Sequence, residues 1–285
     1  MLKKRLFVLL AAWAVFLTAC SGLAMSDPAP AVGGSLPEPL EAKVFVKPEY
    51  EILPFTSGSQ IRAEDETVVA HCSYQVILLG LQNEEDVSPE AAEAAARNVA
   101  VFNEKMRTVH TELAEQGTVF GEDAVAVYEE FGSLAAEYED DADIGADFCG
   151  DIVSAVLRRS SYTGGAHPNR YAASYLFDLT AGQFIDPTQV ADDPEAFRTG
   201  ASELLLEKAA AHRDQEAFWQ DYASILSRWN EGTVRFDSEG MWVIYSPYEL
   251  GPYAIGDVEL VLSWEELEPL IGPGGMAKLG RGITE

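Results

Sequence analysis

The stretch SPEAAEAAARNVAVFNEKMRTVHTELAEQG, residues 88–117, narrows the architectures open to this 285-residue chain more than any other. Ala95, Val99, Phe102, Met106, Val109 and Leu113 recur at alternating steps of four and three, which sets them along one face of an α-helix. Ser88 can accept a hydrogen bond from a free amide of the first turn, Pro89 suits the first helical position, and Gly117 can close the C-terminus. The stripe is too short for a coiled coil, so the spacing predicts a helix laid on a sheet. A second helix is expected over 122–137.

Strands are expected over 43–52 and over 67–81, where TVVAHCSYQVILLGL is rich in β-branched and aromatic residues. The acidic run EYEDDADIGAD reads as a solvated loop. As a calcium loop it fails in detail. Counted from Asp141, the glycine falls one position early, and the twelfth residue is Ile152 where a glutamate should stand. Further strands are expected over 148–159, 170–179, 233–237, 241–246 and Val258–Ser263. Helices are expected over 194–212, with Asp193 as the cap, over 215–229, and briefly from Trp264. Runs of strands interrupted by paired helices predict an α+β fold, an antiparallel sheet with helices packed on it, in a single extracytoplasmic module.

The extracytoplasmic setting follows from the N-terminus, MLKKRLFVLLAAWAVFLTACSG. Lys3, Lys4 and Arg5 precede an apolar core over 6–17, and small residues lead into Cys20, the layout of a secretory signal peptide over 1–19. The core is shorter than the roughly 20 residues that span a bilayer. Leu17-Thr18-Ala19-Cys20 also matches a bacterial lipobox, which would put a lipid on Cys20 and hold the protein at the outer face of the cytoplasmic membrane. Residues 20–42, rich in Pro, Gly, Ala and Ser, read as a flexible tether with a reach of roughly 25 Å. Outside the cell, Cys72 and Cys149 are left as a pair and are expected to form a disulfide, contributing about 4 kcal/mol.

Acidic residues outnumber basic ones by 47 to 19, a formal charge of −28, and loss of the signal peptide removes only basic residues. That balance excludes nucleic acid as a partner and steers cationic ones. Among His71, His110, His167 and His212 there is no H-x-x-x-H or H-E-x-x-H spacing, and no G-x-S-x-G, P-loop or G-x-G-x-x-G occurs. No catalytic motif, cofactor or metal is therefore expected. Two stretches stand out, each open to two readings, a structural connection that shapes the chain or a contact surface, and in the first a Ser161 or Thr163 activated by His167 would be a third. In SSYTGGAHPNRY (160–171), Gly164 and Gly165 permit unusual backbone angles, Pro168 restricts His167, and Asn169 suits a turn. The second, 242–267, carries Tyr245, Tyr248 and Tyr253 among prolines and glycines, side chains with an apolar body and a polar tip.

Residues Tyr162–Asn169 (YTGGAHPN), Phe177–Gly182 (FDLTAG) and Tyr245–Gly256 together resemble one bacterial extracytoplasmic family of unknown function. That family is shared by the RsiV-type anti-sigma factors that sense lysozyme and by the non-catalytic N-terminal part of PdaC-type peptidoglycan deacetylases. Pro168 stands where the family usually has glycine. The resemblance divides the module into halves at 43–160 and 161–271, and the glycine-rich 272–285 (GPGGMAKLGRGITE) reads as a flexible tail. It implies an α+β fold and a non-catalytic binding or sensing role, with Tyr162, Gly164, Gly165, His167, Asn169, Tyr245, Tyr248 and Tyr253 as candidate contacts. The partner it implies is a cationic wall-active protein such as lysozyme, or alternatively peptidoglycan glycan in a deacetylase-accessory role. Sigma control is not expected, because Met1–Arg5 leave no room for a sigma-binding segment, and the deacetylase catalytic domain is missing.

Overall fold

Two long strands start the fold in a computed structural model that describes residues 46–282. The signal peptide, Cys20, the tether and residues 283–285 lie outside the described residues. Strand β1 (Tyr50–Arg62) pairs antiparallel with β2 (Val68–Leu81), whose alternating residues Tyr74 and Val76 are buried. Helix α1 (Pro89–Phe131) then carries the chain back along the sheet, so β3 (Tyr138–Cys149) joins β2 in parallel. Parallel neighbours require a long crossover of this kind. β4 (Ile152–Tyr162), β5 (Asn169–Asp178) and the short β6 (Gln183–Phe184) follow antiparallel, giving the order β1-β2-β3-β4-β5-β6. The fold is α+β with an antiparallel-rich sheet. The expected boundary at 160/161 falls inside β4, because the sheet is continuous there.

α1 is one helix of 43 residues, where two had been expected. Ser88 caps its start through the Ala91 N–H, and the stop is Gly132, in the left-handed region at φ 69°. Gly117 does not close the helix. A Cβ there would overlap the Tyr74 hydroxyl, and one on Gly121 would come within 2.7 Å of Ile61. Both glycines are the price of close approach to the sheet. Ala95, Phe102, Met106, Val109 and Leu113 are buried against it, so the stripe read from the sequence is the helix's packed face.

The acidic run is a strand rather than a solvated loop. In β3, Asp140, Ala142 and Ile144 turn toward α1 while Asp141 and Asp143 take the opposite face. Asp140 is wholly buried, an expensive place for a carboxylate without a partner. The partner is Arg159 on β4, whose Nε and Nη2 each donate to Asp140 at 2.7 Å. The Tyr74 hydroxyl donates to the same carboxylate at 2.5 Å, and a second arm of Arg159 reaches Gln116 on α1.

On the other face of the sheet lies a second layer. It comprises α2 (Pro194–Ala210), α3 (Tyr222–Leu226), the antiparallel sheet β7 (Thr233–Phe236), β8 (Gly240–Tyr245) and β9 (Val258–Ser263), and α4 (Trp264–Lys278). Phe197, Leu205, Trp229, Phe236, Met241, Leu262 and Ile271 form its core. The long helix expected over 215–229 is reduced to α3 and short 3-10 turns. One cause is that the Trp219 N–H leaves helical bonding to donate to the Leu250 carbonyl at 2.8 Å. Side-chain hydroxyls join the two layers: Ser154 accepts from the Phe236 N–H at 2.8 Å, Ser174 from Val234 at 3.0 Å, and Ser246 from Ala172 at 3.0 Å.

Residues 272–282 are packed, which corrects the expectation of a flexible tail from 272. Gly272 (φ 80°) kinks α4, and the Asp192 carboxylate then caps the continuation through the amides of Gly274 and Gly275. Met276 and Leu279 are buried, and Lys278 pairs with Asp178 at 2.9 Å. No helix among the described residues is long and apolar enough to cross a membrane.

Cys72 and Cys149 are free thiols, which overturns the expected disulfide. Cys72 stands beside Asp140 in the parallel register, and Cys149 lies nine residues farther along β3, about 30 Å away at the rise of a strand. A disulfide needs Cα atoms within about 7 Å. Burial pushes the Cys149 thiol up to about 11 and also raises that of Cys72. Both thiols should therefore stay unreactive toward a thiol reagent at neutral pH in the native protein and titrate as two groups in denaturant. A bridged pair, with neither Cys72 nor Cys149 titratable in denaturant, would contradict this arrangement. Arg159→Leu should lower stability by about 3–5 kcal/mol, because it strands Asp140 as a buried charge; urea unfolding measures the loss.

Candidate functional site

Two loops converge at one end of the sheet: the β4–β5 connection at 163–168 and the β8–β9 connection at 246–257. In the first, the Tyr162 hydroxyl donates to the Gly165 carbonyl at 3.0 Å and closes the turn. Gly164 takes φ 79° there and lies close against Ala135. This geometry swings His167 across to the second loop. Its ring stacks on Tyr253 with centroids 3.5 Å apart and planes 12° apart. Nε2 lies 3.3 Å from the Tyr248 hydroxyl, and Nδ1 lies 3.2 Å from the Pro168 carbonyl. The two tyrosine rings are 5.8 Å apart.

Tyr248 is 56% exposed and holds φ 75°, a region that costs a side-chain-bearing residue roughly 1–2 kcal/mol. Its backbone is clamped there. The Trp219 indole N–H donates to the Tyr248 carbonyl at 3.1 Å, and flanking Pro247 and Leu250 are buried. Trp219 is itself exposed. His167, Tyr248 and Tyr253 thus make an aromatic platform, with Trp219 tied to it through the Tyr248 backbone.

Beside the platform is a polar cleft of about 230 Å³ on the face of the sheet that carries the second layer. The strand register sets Asp141, Ser160 and Arg170 side by side across β3, β4 and β5, and Asp143 beside Arg158. Asp257 and Ser246 close the cleft from the second layer. Arg170 links the two parts: its guanidinium lies 6.0 Å over the Tyr253 ring and 3.9 Å from Asp257. Arg158 pairs with Glu259 at 3.0 Å. Burial, reinforced by the charges of Glu139 and Asp140, raises the Asp141 carboxyl above the usual range. The lining carries three arginines and three aspartates, so it suits a polar or zwitterionic group better than a bare ion.

Of the residues picked out in the sequence, His167, Tyr248 and Tyr253 come together. Tyr162, Gly164 and Gly165 shape the turn that delivers His167, and Asn169 opens β5 opposite Ser161 at the exposed end. Tyr245 does not join the platform. It is buried on β8 with its hydroxyl unpartnered, and burial, with a smaller push from Glu249, raises its ionisation well above that of a free phenol. Trp219 and Asp257 were not singled out, Arg170 was read only as part of the 160–171 stretch, and Asp141 and Asp143 only as part of a solvated acidic run. The alternation of acidic and apolar residues in β3 was the available signal for Asp141 and Asp143. The hydrogen bonds of His167 go to Tyr248 and Pro168, and neither Ser161 nor Thr163 bonds to it among the described residues. Those residues also contain no cluster of three His, Cys, Asp or Glu placed to hold a metal.

Residues 199–265, which include Trp219, Tyr248 and Tyr253 but not His167, match the model of a protein family of unknown function, DUF3298. No curated protein matches the sequence. A DUF3298 family member from Bacteroides fragilis shares the fold at a TM-score of 0.54 and 15% identity, over 82% of this chain and 98% of that one. A DUF3298 protein from Pseudomonas aeruginosa aligns at a TM-score of 0.47 and 16% identity, over 80% and 96%.

The strain at residue 248 is measurable. Tyr248→Gly should raise stability by about 1 kcal/mol, because glycine occupies positive φ freely, while Tyr248→Ala should not. Thermal unfolding of the two variants checks this, and equal behaviour would mean the backbone there is relaxed.

Proposed function

We propose that the protein is a non-catalytic binding module of the cell envelope, held at the outer face of the membrane by lipid on Cys20. The aromatic platform is its contact surface. The ligand class that fits it best is peptidoglycan glycan, which offers ring faces to stack on and many hydroxyl and amide groups to bond. The observation that carries this reading is Tyr248, an exposed ring kept in a strained backbone state beside the stacked His167–Tyr253 pair. Local strain of this sort is retained where the surrounding structure imposes it, commonly at ligand sites. The charge-balanced cleft next to the platform can serve the polar and zwitterionic groups that such a ligand carries. The resemblance read from the sequence takes in peptidoglycan deacetylase modules, which fits this reading, and lysozyme-sensing anti-sigma factors, which fits the one that follows.

A second reading, capture of a cationic wall-active protein such as lysozyme, is supported by the overall charge of −28. Salt separates the two. Attraction between an acidic surface and a basic protein is screened as ionic strength rises, whereas stacking is not. Calorimetric titration of the full chain with muropeptide fragments and with lysozyme, each at low and moderate salt, tests both. The expected result is saturable muropeptide binding that persists in salt and weakens at least tenfold in Tyr253→Ala. Salt-sensitive binding of lysozyme alone would replace the glycan reading with the second, and no binding of either titrant would overturn both.

A further inference from the structure

The sheet leaves one long edge open, and a groove lies beside it. β1 is the outermost strand of the six, and no other strand among the described residues pairs with its outer edge. Exposed strand edges of this length are templates for another extended chain, and most proteins blunt them. Here residues 57–60 are Ser, Gly, Ser and Gln, all exposed. No lysine or buried charge guards that segment.

α1 lies chiefly over β2, and where it passes β1 the facing side chains are small. Ser57, Ser59, Ala114, Gly117 and Ala126 leave a groove of about 640 Å³, which ends on the apolar Ile61 and Val125. It follows α1 from Ala114 to Glu129, about 22 Å at the rise of a helix. Glu122 and Glu129 stand on its rim, neither has an ion-pair partner among the described residues, and no Lys or Arg lines it. The groove therefore has an apolar, small-residue floor and an anionic lip.

We propose that this edge and groove form a docking site for an extended basic segment of a partner polypeptide, added to β1 as a further strand. The added backbone would bond to the free groups of β1. Its alternate side chains would fall on the α1 side, in line with Ser57 and Ser59, so an apolar residue there enters the groove. Basic residues two positions to either side of it share that face and meet Glu122 and Glu129. A second copy of this chain is a poor occupant, because two chains each carrying 47 acidic and 19 basic residues repel. The site is separate from the aromatic platform, which is built on the β4–β5 and β8–β9 connections.

The test uses a fluorescent, end-blocked heptapeptide Thr-Lys-Thr-Val-Thr-Lys-Thr, which sets both lysines and the valine on one face of a strand, titrated against the full chain, with a version N-methylated at every second residue as control. Binding is expected to saturate, to weaken at least tenfold on N-methylation, and to slow hydrogen exchange of amides 55–61. Glu122→Gln with Glu129→Gln should weaken it several-fold, Thr118→Trp should block the groove, and Tyr248→Ala should leave it unchanged. Absence of binding, equal binding of the methylated peptide, or unchanged exchange in β1 would overturn the proposal. So would a concentration-dependent dimer that protects the same amides, which would give the edge to a second copy.

Discussion

The buried carboxylate of Asp140 is the constraint around which the main sheet is organised. A charge removed from water must be met by good hydrogen bonds, and the partners come from three other elements: Arg159 from β4, Tyr74 from β2 and, through Arg159, Gln116 from α1. A one-residue slip of β3 would turn Asp140 out and Asp141 in, breaking every one of these bonds. The ion pair therefore sets the register of a parallel pairing that no tight turn could set. The crossover helix is adapted to the same site. Gly117 sits where any side chain would displace the Tyr74 hydroxyl.

From that register the functional surface follows. With Asp140 facing α1, Asp141 and Asp143 must face the second layer, where they meet Arg158, Ser160 and Arg170. The serines that tie β7 to β4 and β5 hold the second layer at a fixed height above the sheet. The β8–β9 loop is thus presented to the β4–β5 turn, and His167 can stack on Tyr253. Platform and cleft depend on the same hydroxyl-mediated seam, so the site is as rigid as the interface between the layers.

Much of this was legible in the chain. The α1 stripe, the strands β2, β5 and β9, the Asp193 cap and the importance of the 160–171 and 242–267 stretches all follow from local periodicity and turn chemistry. The misreadings share one cause, which is that local chemistry was overridden at long range. Gly117 looks like a helix end but is a contact point with Tyr74, as Gly121 is with Ile61. The run of aspartates looks solvated, yet every second residue is inside. Gly272 and Pro273 look like a frayed end, yet Asp192, distant in sequence, caps the helix that continues beyond them.

What the sequence determined by itself is what depends on near neighbours: the period of the long helix, the α+β class, the acidic surface and the aromatic character of the two loops. The tertiary structure alone decided which distant groups meet. It placed Cys72 and Cys149 too far apart to bond, paired Asp140 with Arg159, and put His167 on Tyr253 while leaving Tyr245 buried. The reason is physical. A side chain's propensity is set by its own covalent neighbours, whereas the partner that makes a buried charge or a strained tyrosine tolerable is supplied by strands and loops far away in the chain.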